Sequence, residues 1–157
     1  MRVVGIDEPG GSIALGRPLP SIDRDSERFW KAAAEGSLLV QKCVQCTALQ
    51  FYPRALCRNC AADVEWMEVS GRGTVYTFTV IRQNLARPFA DIGPYVVAMV
   101  ALEEGPMMLS NITGVDPGDI RIGMAVSCYA VRMNPELGLP FWQAEEVAGS
   151  VRSFSDR

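Results

Sequence analysis

The amino-acid sequence predicts a mainly β protein with one N-terminal helix, a cysteine-rich module and a small antiparallel barrel. Three observations carry this reading. Four of the five cysteines fall into two Cys-x2-Cys pairs, at 43/46 and 57/60. From Val64 onward, short alternating or continuous apolar runs are separated by Gly- and Pro-rich turns, the pattern of strands. Ahead of the cysteines, around residues 23–35, the apolar positions recur at helical spacing instead.

In chain order, residues 1–20 are rich in Gly and Pro and lack periodicity, so they read as an extended arm that a partner surface orders. A helix is expected from Asp23 to Glu35. Ser21 or Asp23 caps it, Gly36 ends it, and Ile22, Phe29, Trp30 and Ala33 form its apolar stripe. With the cysteine module it makes a unit over residues 21–63, containing extended pieces at Leu38–Lys42 and Leu49–Tyr52. The barrel is expected over residues 64–146. Its first strand is Val64–Val69, followed by a turn at residues 70–73. Thr74–Ile81 then places Tyr76, Phe78 and Val80 on one face and Thr77 and Thr79 on the other. The loop Arg82–Gly93 is long enough to suggest binding. A buried strand over residues 94–102, strands at Met107–Ile112 and Ala125–Met133, and a closing piece at Phe141–Glu145 complete a Greek-key barrel of the OB type. Residues 147–157 read as a flexible tail.

The cysteine array, Cys-x2-Cys-x10-Cys-x2-Cys, determines the chemistry of the first unit. Two residues between cysteines let one tight knuckle aim both sulfurs at a point, and two knuckles complete a tetrahedron. Cys43, Cys46, Cys57 and Cys60 are therefore expected to hold one structural Zn²⁺, making this unit a zinc ribbon. Iron in a rubredoxin-like site is the chemical alternative. Four thiolates leave no open coordination position, so the metal folds the ribbon and does not activate water. Disulfides are disfavoured because the N-terminus lacks a signal-peptide core and the expected compartment is the cytoplasm.

Other features exclude functions. The chain has no histidine, which rules out a Ser-His-Asp triad or a Cys-His pair within it. Cys128, lacking a base, reads as a buried structural thiol. Residues 74–145 hold four basic side chains against seven acidic ones, and the net charge is −3. No nucleic-acid partner is therefore expected, although the aromatic face of an OB barrel leaves that reading as an alternative. The longest apolar run, Tyr95–Leu102, is far short of the ~20 residues a membrane helix needs, so no membrane partner is expected either.

From Phe29 to about Glu145 the sequence resembles the DUF35 family, a rubredoxin-like zinc ribbon followed by an OB-fold domain. The resemblance rests on Phe29-Trp30, on Gly36-x-Leu38-Leu39-x-Gln41-x-Cys43, and on Tyr52-Pro53-Arg54. It continues in Ser70-Gly71-x-Gly73-x-Val75-Tyr76-x-Phe78-Thr79, Pro94-Tyr95, Leu102-Glu103-x-Gly105 and Ile122-Gly123-Met124-x-Val126. Thr47 and Ala61 stand after each knuckle where the family often has Gly. The resemblance implies a non-catalytic accessory subunit in a hetero-oligomer, supporting an enzyme that acts on acyl-CoA esters. A thiolase-superfamily partner is expected first, with an acyl-CoA hydratase or retro-aldolase complex as the alternative. The resemblance supplies the substrate class, a CoA ester as substrate of the complex, and Arg54, Arg82, Asn84, Arg87, Phe89 and Tyr95, a mix able to contact a phosphate and an apolar tail, are the residues expected to contact it.

Overall fold

The alternation that begins at residue 72 builds five strands that close on themselves. The computed structural model describes residues 1–8, 10–87 and 89–145, so the tail expected at 147–157 lies outside the described residues. Along the chain come β1 (Arg2–Gly5), a 3-10 turn (Ser12–Ala14), α1 (Glu27–Glu35), β2 (Leu38–Cys43), β3 (Leu49–Gln50) and β4 (Val64–Val69). They are followed by β5 (Arg72–Ile81), a second 3-10 turn (Phe89–Asp91), β6 (Tyr95–Leu102), β7 (Met107–Thr113), β8 (Ala125–Asn134) and β9 (Leu137–Ala144). The barrel runs β5-β6-β7-β9-β8 and returns to β5, with β7 and β9 parallel and the other pairs antiparallel. This is a barrel of the OB type, as expected from the sequence, but with five strands and one parallel pair where the sequence predicts up to six, all antiparallel.

Inside it, Val75, Val96, Val100, Met108, Val126 and Trp142 are almost completely buried. α1 closes the barrel's end and packs on β9 and β8. The close approach needs Gly138, where a Cβ would collide with the backbone of Ala33 and Ala34. Gly36, at φ 100°, ends α1: its N–H donates to Ala33 O and that of Ser37 to Ala32 O, a Schellman arrangement. Arg132 Nε adds a bond to the Ala34 carbonyl at 2.7 Å, satisfying another helix-end acceptor.

Several expectations are corrected. The helix begins at Glu27, four residues later than expected, because Asp23 organises a separate turn. Its Oδ1 accepts from the Ser26 N–H (2.8 Å) and from the Ser26 hydroxyl (2.6 Å). Val64–Val69 is a strand with the expected bounds, but all six of its residues pair with β2, so it belongs to the ribbon sheet β3-β2-β4. The barrel starts instead at Arg72, inside the segment expected as a turn. Tyr76 does not share a face with Phe78 and Val80. A β-bulge between Val75 and Thr77 turns it outward, 57% exposed, while Phe78 and Val80 pack on the core.

The segment expected as an extended arm is docked. β8 pairs with β5 only through Ala125–Ser127, which leaves Tyr129–Arg132 with a free edge. β1 fills that edge in parallel, and Val4 and Ala14 bury themselves against Tyr129, Val131 and Phe141.

Candidate metal centre and adjoining cavity

The first knuckle hangs from the end of β2 and the second lies in the loop between β3 and β4, and both repeat one set of bonds. The Cys43 N–H donates to Ala48 O and the Cys57 N–H to Ala62 O, both at 2.9 Å. Thr47 N–H donates back to Cys43 O, as Ala61 N–H does to Cys57 O. Thr47 (φ 59°) and Ala61 (φ 57°) take the left-handed conformation that Gly adopts without penalty, which gives a physical reason for Gly at these two positions. The four sulfurs lie within 4.8 Å of one another. Cys43 and Cys60 Sγ are 3.5 Å apart, and Cys46 and Cys57 Sγ are 3.7 Å apart. A tetrahedron with Zn–S bonds of about 2.3 Å has edges near ~3.8 Å, so the donor set fits zinc in both type and spacing.

Cys43 and Cys57 are buried, whereas Cys46 and Cys60 are exposed. The backbone N–H of Cys46 donates to Cys43 Sγ at 3.3 Å and holds that thiol down at about 6. The Asn59 N–H does the same for Cys57, whose pKa is likewise lowered. Both inner sulfurs are thereby biased toward thiolate, the ligand form. Cys128 is different: it is buried in β8, and burial pushes its thiol up.

The peptide between the knuckles is fixed by two glutamines, Gln41 and Gln50, each at most 3% exposed. Gln41 Oε1 accepts from the Arg54 N–H and from Gln50 Nε2, both at 2.9 Å, while Gln41 Nε2 donates to Arg54 O. Gln50 Oε1 accepts from the Arg58 N–H at 2.9 Å. Sequence reasoning missed this role. The available signal was a glutamine directly continuing the apolar run Leu38-Leu39-Val40 of β2. Gln41→Leu leaves the Arg54 N–H and carbonyl without their part-buried partner and is expected to cost about 1–3 kcal/mol, read as a lower urea midpoint with an unchanged slope.

Beside the ribbon lies a cavity of about 730 Å³. Its walls come from α1, the inter-knuckle peptide, β6, β7, β9 and the segment around Arg17. Of the residues expected to contact CoA, the structure groups three. Asn84 Nδ2 donates to the Tyr95 hydroxyl at 3.1 Å, and the Phe89 and Tyr95 rings lie 5.8 Å apart. Phe89 lines the cavity. Arg54, Arg82 and Arg87 are exposed and do not line it. Arg17 and Asn111 do, and neither was anticipated, because nothing in the low-periodicity N-terminal segment marks Arg17 as a docked residue.

Comparison with known proteins gives this geometry a family. A model of the ChsH2 rubredoxin-like zinc ribbon domain matches residues 30–65, and one of the ChsH2 C-terminal OB-fold domain matches residues 66–131. A DUF35 domain-containing scaffold protein of Methanothermobacter thermautotrophicus is 36% identical over 115 residues, 71% of this chain and 86% of that one. The chain belongs to the DUF35 family. The boundary between the two models falls inside β4, so the OB-fold model takes in residues 66–69 of a strand that pairs with the ribbon's β2, and β9 lies past the matched region. The "Probable enoyl-CoA hydratase alpha subunit" of Thermomonospora curvata is 35% identical over 128 residues, 81% of this chain. The chain spans 40% of that relative's length. Among solved structures, a chain of "Ltp2-ChsH2(DUF35) aldolase" superposes with a TM-score of 0.71 at 35% identity, covering 80% of this chain and 98% of that one. No described helix is long and apolar enough to cross a membrane.

Proposed function

We propose that this DUF35 chain is a non-catalytic accessory subunit, a zinc-stapled scaffold that binds and supports an enzyme acting on acyl-CoA esters. The observation that carries the reading is the likeness to the chain from the Ltp2-ChsH2(DUF35) aldolase, which this chain covers almost from end to end. Cys43, Cys46, Cys57 and Cys60 hold one zinc per chain, and with four thiolate ligands that metal is structural. The sequence has no histidine to act as a general base. Tyr76, Met107 and Leu109, on strands β5 and β7, are 57%, 40% and 63% exposed, apolar area that suits a protein partner.

The partner, on this reading, belongs to the thiolase superfamily, as the family resemblance implies. An acyl-CoA hydratase is the second reading, favoured by the name of the Thermomonospora curvata relative. Asn84, Phe89 and Tyr95, with Arg54, Arg82 and Arg87 at the surface, remain the proposed contacts to the CoA ester of the complex.

The test is to purify the tagged chain from its native host at its natural level and to assay both it and the complex. A stoichiometric acyl-CoA enzyme should accompany it, and CoA-ester turnover should be seen with the complex and not with the isolated chain. Turnover by the isolated chain would refute the accessory role. A nucleic-acid enzyme in place of the acyl-CoA enzyme would refute the substrate class.

A further inference from the structure

Among the described residues, Arg17 is the one cation lining the 730 Å³ cavity, whose walls include Trp30, Met108, Leu109, Pro140 and Phe141. Its guanidinium stands 5.1 Å from the Phe89 ring, 5.4 Å from Phe141 and 6.0 Å from Tyr95. One nitrogen is anchored: Nη1 donates to Asn111 Oδ1 at 2.7 Å, and Asn111 is itself fixed by donating from Nδ2 to the Val96 carbonyl at 2.8 Å. The other two, Nε and Nη2, are buried and have no hydrogen-bond partner among the described residues. These two share one edge of the guanidinium plane, the edge that receives both oxygens of a carboxylate in a bidentate pair. Two dry, unpaired donors on a cation are costly to leave unmade.

From this anchored guanidinium, with two buried and unpaired donors in an apolar cage, we infer that the cavity is a binding site for an apolar chain ending in a carboxylate. The charge count selects the head group. One guanidinium balances one negative charge, whereas a phosphate dianion would bring a second charge and further oxygens into walls that offer little to pair them. The apolar lining and the volume select the rest, since both lie in the range of small-molecule sites. Burial already lowers the Arg17 pKa, and a carboxylate at the unpaired edge would offset that desolvation. Nε and Nη2 are screened from solvent, so entry requires a shift of the wall. Phe89, on the 3-10 turn Phe89–Asp91 and 5.1 Å from the guanidinium, is the wall residue whose shift would admit a carboxylate. Two sources present this chemistry: a free fatty acid, or the far end of a dicarboxylic acyl thioester. The site does not depend on the partner reading, because binding is measured on the isolated full-length chain.

Calorimetric titration of the full-length chain near neutral pH, with decanoate, decan-1-ol, acetate and inorganic phosphate, tests the inference. Decanoate should bind one-to-one and at least tenfold more tightly than decan-1-ol, with acetate and phosphate showing no binding at millimolar concentration. Arg17→Met should weaken decanoate at least tenfold and leave decan-1-ol unchanged, which also shows that the variant is folded. Should that variant fail to fold, the comparison of decanoate with decan-1-ol on the wild-type chain decides alone. The mono-CoA thioester of decanedioic acid separates the sources: binding at least as tight as decanoate assigns the carboxylate to the acyl thioester, and weaker binding assigns it to the free acid. Equal affinity for decanoate and decan-1-ol, phosphate binding as tightly as decanoate, or decanoate affinity unchanged in a folded Arg17→Met chain would overturn it.

Discussion

Purified chain is expected to contain one equivalent of zinc, and Cys57→Ser to lose the metal together with the ribbon. Cys57 is 4% exposed, and its sulfur receives the Asn59 N–H and lies 3.7 Å from that of Cys46. A serine hydroxyl there is a poor fourth ligand for a thiolate site. Structural zinc contributes on the order of 10 kcal/mol in small zinc modules at neutral pH, more than a ribbon of this size can replace from its own core. The damage should spread unevenly. β2 and β4 pair with each other, and β4 pairs with no barrel strand, so the barrel's hydrogen-bond ladder survives loss of the ribbon sheet. Leu38, Val40 and Val69 nevertheless belong to the same buried cluster as Val75, Val100 and Trp142, so the barrel loses one of its covers. Metal analysis, near-ultraviolet circular dichroism and limited proteolysis between residues 38 and 69 read these effects separately. A Cys57→Ser chain retaining a full zinc equivalent and wild-type protection would sink the assignment, and iron in place of zinc would establish the rubredoxin-like alternative.

What was legible in the sequence was mostly local. The knuckles follow from a fixed spacing, and their geometry is set within four residues each, so Cys43–Cys46 and Cys57–Cys60 could be read directly. Strand bounds such as Val64–Val69 and Tyr95–Leu102 follow from short apolar runs between turn residues. The sheet a strand joins is a non-local choice, and for Val64–Val69 the ribbon's β2 offered a full six-residue partner. The bulge at Tyr76 was hidden for a related reason. Period-2 alternation assumes an unbroken ladder, and one inserted residue reverses the face of everything before it. Arg17 was the least legible residue. Its role comes from Asn111, Phe89, Tyr95 and Phe141, all more than 70 positions away in sequence, and its own neighbours are a glycine and a proline.

Docking of the N-terminal segment also makes a large, directional prediction: Val4→Asp should cost about 3 kcal/mol in folding free energy. Val4 is 5% exposed, stands opposite Val131 in the parallel β1–β8 ladder, and packs with Ala14, Tyr129 and Phe141. The guanidinia against this cluster lie over the Tyr129 ring (Arg2, 5.6 Å) and the Phe141 ring (Arg17, 5.4 Å), and a carboxylate at position 4 would lose its hydration among the apolar side chains themselves. The chain has one escape, which is to peel residues 1–16 off the barrel. That would cap the cost at the docking energy, but it would uncover Tyr129, Val131 and Phe141 and reopen the edge of β8. Faster proteolysis within residues 1–16 then accompanies the lower urea midpoint, so either response is visible. Leu15→Asp is the matched control, because Leu15 lies in the same segment but is 60% exposed, and its cost should stay within about 0.5 kcal/mol. A segment that waits undocked for a partner would tolerate both substitutions equally and be cleaved at the wild-type rate in each. Only the docked segment separates position 4 from position 15.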